Sequence, residues 1–451
     1  TVTGGEVIFT QTPAIGPEVD ALQNYTLDAN VALNNLTITG KITATARNAT
    51  VSVLISPLIL NGNLTLSNAN SILDMNSSFD INLTVKGGFT NNGTYRHYNN
   101  TTTFNGGAQT IAGTSATDFY NLIVNPVTSL SLIRDINVFN DLTLSRGQFL
   151  ISTYNVNLKG DFFNNASYDG DAVLGGVIMN GTSAQQISGT GTYGRLEISN
   201  FYGVRAESNI TLKKNLKLTN GIFDINERLL TLEATSAIEG SGFGQTKMIT
   251  SDGVFSNVGV RKYFGIYIGA EKTFTFPIGT SGKYTPAVLK YSNNTNVGYI
   301  RVNNINDNHP AVFDEDNVLQ YYWEIESSGI ANFNGNLALN YNQDDVRVTG
   351  TNTEAQYIAA ALLIPGSSWQ KAGPGGDDAT DFVYENSNEI KFSFTGVNSI
   401  SGEYTAGIDP ALPNLVPEFI SVKDGDWSDP TTWAETTSTG YILTGAPRGF
   451  I

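Results

Sequence analysis

The 451 residues are 40% hydrophobic and 10% aromatic but only 15% charged, enough apolar material to exclude wholesale disorder and too long a chain for one ordinary domain. Acidic residues outnumber basic ones 41 to 25, a net charge of −16, which argues against nucleic acid and anionic membrane surfaces as partners. Cysteine is absent, so disulfides, thiolate metal sites and cysteine nucleophiles are excluded.

The polar fraction leans on Asn, Thr, Ser and Gly, residues that favour strands and the tight turns between them, and predicts an all-β chain. No run approaches the roughly 18 apolar residues of a membrane span. The longest, Val51 to Leu60, is broken by Ser52, Ser56 and Pro57 and reads as buried strand. The chain opens at Thr1 with no initiator Met and no basic-apolar leader, the pattern of a mature or excised piece. Residues 1–20 read as an N-terminal strand, Val7-Ile8-Phe9, and a cap in which Pro13, Pro17 and Asp20 lead directly into a first coil.

Residues 21–244 are predicted to form a parallel β-solenoid, or β-helix. A motif returns as Asn35-Leu-Thr-Ile38, Asn63-Leu-Thr-Leu66, Asn82-Leu-Thr-Val85, Asp141-Leu-Thr-Leu144 and Asn209-Ile-Thr-Leu212. Its apolar residues alternate as a half-buried strand requires, and the first three copies lie 28 and 19 residues apart, close to one solenoid coil. A longer repeat matches Phe104-Asn105-Gly106, Gln109, Ile111 and Gly113 to Met179-Asn180-Gly181, Gln186, Ile187 and Gly189. Leu122 and Leu196, Leu142 and Leu216, Gly147 and Gly221, and Phe149 and Phe223 are each 74 residues apart, so 87–160 and 160–234 read as two copies of one block. Roughly ten coils at about 4.8 Å each would extend about 50 Å.

From 245 to 409 aromatic residues thicken, among them Phe255, Tyr263, Phe264, Tyr267, Phe274 and Phe276. Strand-like runs at Lys272–Ile278, Tyr284–Tyr291, Val297–Val302, Val318–Ile325, Asn336–Tyr341, Tyr357–Ile364 and Glu389–Phe394 predict an immunoglobulin-like β-sandwich. Thr353–Leu363 is Ala-rich, but Asp344-Asp345 before it and Pro365-Gly366 after it favour a buried strand. Residues 410–451 carry Pro410, Pro413 and Pro417, a linker composition, and then the start of a further module.

Ser421-Val422, Gly425-Asp426-Trp427-Ser428-Asp429-Pro430 and Trp433 form a motif that resembles one found in large repeat-containing, adhesin-like surface proteins of the Bacteroidota. Phe276-Pro277-Ile278-Gly279, Tyr284-Thr285-Pro286 and Tyr322-Trp323-Glu324-Ile325 are similar to the same proteins. The resemblance implies an extracellular, cell-surface location reached by type IX secretion, with the secretion machinery as a partner during export. It transfers no catalytic residue, and the C-terminal sorting domain of such proteins is not recognisable here.

Candidate chemistry is sparse. His97 and His309 fall in different predicted units, which disfavours a catalytic triad or a histidine metal centre. β-Solenoids can host glycosidases, which need two carboxylates facing one cleft. The acids between residues 74 and 171 are sparse and scattered, Asp74, Asp80, Asp118, Asp135, Asp141, Asp161, Asp169 and Asp171, and only the last two sit two residues apart, in a turn-like Tyr-Asp-Gly-Asp. Asp424-x-Asp426-x-Ser428 with Glu435 imitates a calcium loop, but Asp429 and Pro430 stand where the sharp turn needs Gly. Asp314-Glu315-Asp316 and Asp377-Asp378 with Asp381 read as solvated loops that allow weak calcium binding. Trp427 and Trp433 offer a sugar-stacking platform or ordinary packing. Asn-x-Ser/Thr sequences at Asn24, Asn35, Asn63, Asn82, Asn92, Asn165, Asn180 and Asn209 read as products of strand alternation rather than glycan acceptors.

Together these features point to a non-catalytic adhesin or fibre segment with no cofactor and no catalytic or metal site. Its partners are neighbouring copies or modules of the same protein, and surface glycans. A polysaccharide-active β-helix enzyme and a glycan-binding module are the alternatives. The opened module at 418–451 and the strand at 1–20 further suggest that one chain's tail completes its neighbour's head.

Overall fold

In the computed structural model the described residues are 4–10, 23–42, 47–171, 173–251, 253, 257–363, 369–372 and 382–413, with 418–421, 424, 433–436 and 442–443 beyond them. Pro13, Pro17 and Asp20 lie outside them, as do Asp377, Asp378, Asp381, Asp426, Trp427, Ser428 and Asp429. Helix occurs among the described residues only as three-residue 3-10 turns, and no helix is long and apolar enough to cross a membrane. Contacts divide the chain into two units, Thr1–Asp224 with Ser236–Gly242, and Ile225–Thr235 with Phe243–Ile451.

The first unit is a parallel β-solenoid with three faces. Face one stacks strands from Glu6–Thr10 to Ser167–Tyr168. Face two stacks Gln23–Leu27 to Thr94–Arg96 and then Thr117–Phe119 to Ile238–Glu239, and face three runs from Leu58–Leu60 to Phe223. On face three Leu83, Thr102, Leu122, Leu142 and Phe162 pair in succession, 19 or 20 residues apart, so a coil is about that long. Most strands alternate, buried Leu64 and Leu66 flanking partly exposed Thr65, because successive side chains on a strand point to opposite faces.

The interior is filled by these apolar rows and by aromatic clusters. Phe89, Tyr95, Phe104 and Phe119 meet mostly edge to face with centroids 5.5–6.4 Å apart, and Phe162, Tyr168 and Tyr193 do so at 5.6–6.0 Å.

The corners explain the recurring Asn. The Asn35 side-chain oxygen accepts the Asn63 N–H at 2.7 Å, and the Asn63 oxygen accepts that of Gly88, also at 2.7 Å. Asn82 binds the Thr101 N–H at 2.8 Å, and Asn92 and Asn165 bind those of Thr114 and Thr190. Each such side chain supplies an acceptor to a backbone N–H that the curving chain leaves without a ladder partner.

The spacings behave differently in three dimensions. The 28 residues from Leu36 to Leu64 are one full coil, whereas the 19 from Leu64 to Leu83 run from face one to face three. The 74-residue repeat is not a whole number of coils either. Three coils carry Leu122 through Leu142 and Phe162 to Ile187, and two further faces, past Tyr193, reach Leu196. Leu122 and Leu142 therefore lie on face three but Leu196 and Leu216 on face two, and Phe149 on face one answers Phe223 on face three. Gly147 and Gly221 keep equivalent turns with φ of +75° and +83°; at Gly221 a Cβ would lie 1.7 Å from the Asn200 carbonyl oxygen.

The counterpart of Gln109 in the repeat is Gln185, not Gln186. Gln109 is buried, accepts the Gly106 N–H and donates to the Val85 and Gly87 carbonyls. Gln185 is likewise buried, accepts the Gly181 N–H and donates to the Leu158 and Gly160 carbonyls. Gln186 points out of the solenoid.

The second unit holds two antiparallel sheets. In one, Gly259–Phe264, Gly298–Ile305, Tyr322–Ser328, Gly402–Ile408, Tyr357–Leu362 and Gln370–Ala372 succeed one another in order, with Leu229–Leu232 added parallel at the Gly259–Phe264 edge. The other orders Tyr267–Phe276, Ala287–Asn294, Phe333–Asn340, Glu389–Val397 and Phe382–Tyr384. Phe392 of one sheet meets Tyr404 of the other at 4.8 Å, and Trp323, Leu289 and Leu337 are fully buried, so this is a β-sandwich core. The Ala-rich segment is strand over Tyr357–Leu362, preceded by a 3-10 turn at Glu354–Gln356. Glu418–Ser421, Trp433–Thr436 and Ile442–Leu443 form a small antiparallel sheet.

Candidate functional site

The eight aspartates from Asp74 to Asp171 all bind groups of the fold. Asp74 binds the Asn76 N–H, the Tyr98 hydroxyl and Arg96, while Asp80 accepts the Asn99 N–H. Asp118 accepts from the Asn137 amide, and Asp135, Asp141 and Asp161 accept the backbone N–H groups of Asn155, Asp161 and Gln186. Asp169 accepts the Ile151 and Ser152 N–H groups at 2.6 and 3.1 Å. Asp171 accepts those of Val173 and Leu174, and these bonds, aided by the Lys214 and Arg195 charges, hold it below the usual carboxylate range.

Asp169 borders a depression of about 210 Å³ on face one. Two outward rows build it. Gln148 stands beside Ser167, and Ser167 beside Thr192; the next row runs through Leu150, Asp169, Gly194 and Lys213, since Phe149 pairs with Tyr168 and Tyr193 bridges Leu212. The middle coils carry small side chains, Ser167, Thr192 and Gly194, between Leu150 at one end and Lys213 and Lys214 at the other. A Cβ at Gly194 would lie 2.3 Å from the Asp169 carbonyl oxygen, so glycine is required there.

Buried ion clusters were not legible in the sequence. On face two Glu197 is buried although it points outward from its strand. Arg195 lies 3.2 Å from it, Lys217 3.2 Å, and the Thr219 hydroxyl donates at 2.6 Å; Arg195 also faces Glu239 at 3.7 Å. Burial alone would raise the Glu197 carboxyl, but Thr219, Lys217 and Arg195 outweigh it and hold it low. In the second unit fully buried Arg301 binds Glu324 at 2.6 Å, Glu326 at 2.8 Å and the Val258 carbonyl at 2.7 Å. Lys283 is paired there with buried Asp345. The partners in these clusters come from different strands, so no local spacing announces them.

The two histidines lie in different units. His97 stacks on Phe139 at 5.7 Å and donates from Nδ1 to the Tyr98 carbonyl. His309 is buried between Tyr322 and Trp369, both at 4.8 Å. Its Nδ1 accepts the Ala311 N–H, which leaves Nε2 to donate to Glu403 at 2.6 Å. Asp314 caps a 3-10 turn by accepting the Asp316 N–H and the Asn317 amide. Asp424 is exposed, Glu435 pairs with Phe419, and Trp433 lies on the same strand as Glu435. Among the described residues no group of three or more His, Asp or Glu side chains is placed to hold a metal ion.

No family model matches this chain, and neither the curated proteins nor the solved structures contain a match to it.

Proposed function

We propose that the chain is a structural segment of a cell-surface adhesin or fibre, a stiff β-rod that carries a β-sandwich module in the same chain. The observation that supports it is the double stitching of the solenoid. Successive coils are joined by parallel ladders on three faces and again by corner side chains such as Asn35, Asn63, Asp141 and Asp161. Such stacking stiffens a chain without disulfides, and Asp135, Asp141 and Asp161 are engaged in it. The likeness to adhesin-like surface proteins of the Bacteroidota supports an extracellular location and export by type IX secretion. Neighbouring copies or modules are the partners this reading assigns.

Single-molecule pulling of the full chain tests the mechanical part. Coils should be released one at a time, each lengthening the chain by roughly 65–70 Å for about 20 residues. Loss of the whole unit in one low-force step would overturn it. Labelling of intact producing cells, with and without protease shaving, tests the location; signal only after lysis would overturn that part.

A further inference from the structure

We propose that the groove on face one binds a linear acidic oligosaccharide, carboxylated or sulfated, lying along the solenoid axis. The groove crosses four successive coils, at Gln148–Leu150, Ser167–Asp169, Thr192–Gly194 and Lys213–Lys214. Three steps of about 4.8 Å give a track about 14 Å long that presents the same kind of position at every step. A polymer of repeating rings matches such a track better than a compact ligand does.

The chemistry of the walls narrows the class. One row offers an amide and two hydroxyls, Gln148, Ser167 and Thr192, in line. These groups both donate and accept, as sugar hydroxyls require. Leu150 in the other row gives an apolar surface, and Asp169 is a fixed acceptor held by two backbone N–H groups. The far end carries Lys213 and Lys214, neither with an ion-pair partner within 4 Å among the described residues. Two adjacent ammonium groups without a contact ion pair at the end of a groove, Lys214 with only the longer-range attraction of Asp171, on a chain of net charge −16, mark the place where a ligand's anion sits. An acidic peptide is disfavoured because the floor backbone is already paired within the stack, which leaves no ladder for an added strand.

This site does not depend on the rod reading, which stands whether or not the groove is occupied. The test is calorimetric titration of the full chain with four probes: an oligogalacturonate, a sulfated oligosaccharide, a neutral cello-oligosaccharide and a short poly-glutamate peptide. At least one acidic saccharide should bind at least tenfold more tightly than the neutral one and the peptide, and more weakly as salt rises. The double variant Lys213→Ala/Lys214→Ala should lose at least tenfold while keeping the circular dichroism spectrum and melting temperature of the parent. Ser167→Tyr should fill the groove and abolish binding. No binding at millimolar ligand, equal binding of the neutral saccharide or the peptide, or binding indifferent to the lysine variant would each overturn the proposal.

Discussion

Asn121 and Asp141 stand at the same corner of successive coils, and the Asn121 side-chain oxygen accepts the Asp141 backbone N–H at 3.2 Å. Asp141 repeats the act on Asp161 at 2.9 Å, and Asp161 on Gln186 at 2.7 Å. The corner is a relay in which each acceptor side chain fixes the start of the next strand.

Asp141→Asn keeps the acceptor and should leave stability unchanged within about 0.5 kcal/mol. Asp141→Ala should cost about 0.5–1.5 kcal/mol, since water can reach the freed N–H at this exposed corner. Urea denaturation of the two variants decides it, and equal stabilities would remove the relay as a stabilising device.

Gln185 and Gln186 are neighbours with opposite roles. Gln185→Ala removes buried bonds to Gly181, Leu158 and Gly160 and one from the Asn200 amide, and should cost about 2–4 kcal/mol. Gln186 contributes only its backbone N–H to Asp161, so Gln186→Ala should stay within about 0.5 kcal/mol. The reverse ranking in a melting experiment would refute the revised register of the repeat.

Burial pushes the hydroxyls of Tyr95, Tyr284, Tyr321 and Tyr322 up to about 12 from 10. In the unfolded chain these groups ionise near 10. Their stabilisation is therefore complete below pH 10 and is lost as pH climbs from 10 to 12. Tyrosinate absorbance and circular dichroism should change together in that window. Full tyrosine titration near pH 10 with the β spectrum intact would contradict this.

Lys262 shows the opposite sign. Burial lowers its ammonium to about 8, although Nζ donates to the Glu233 and Ala234 carbonyls. The unfolded chain holds this proton up to about pH 10.5, so between 8 and 10.5 rising pH favours folding. Relative to Lys262→Met, the parent should gain on the order of 1–2 kcal/mol between pH 7.5 and 9.5. A difference between the two proteins that does not change with pH would show that Lys262 keeps an ordinary affinity for its proton.

Alternation of Leu, Ile and Val with Thr, and the Asn or Asp that recurs before many of the strands, determined the β-solenoid by themselves, because strand burial has a period of two and a corner needs an acceptor within one or two residues. Several sandwich strands were legible for the same local reason, although Tyr267–Phe276 starts five residues earlier than Lys272 suggested and Gly259–Phe264 and Gly402–Ile408 fall on none of the runs read from the sequence. Only the tertiary structure decided which face each strand joins. Face is the running sum of every corner length, so equal spacing in sequence can place Leu122 and Leu196 on different faces, both buried. The same holds for Glu197 with Arg195 and Lys217, and for the row through Leu150, Asp169, Gly194 and Lys213: their partners are set by stacking between coils, which no local pattern encodes.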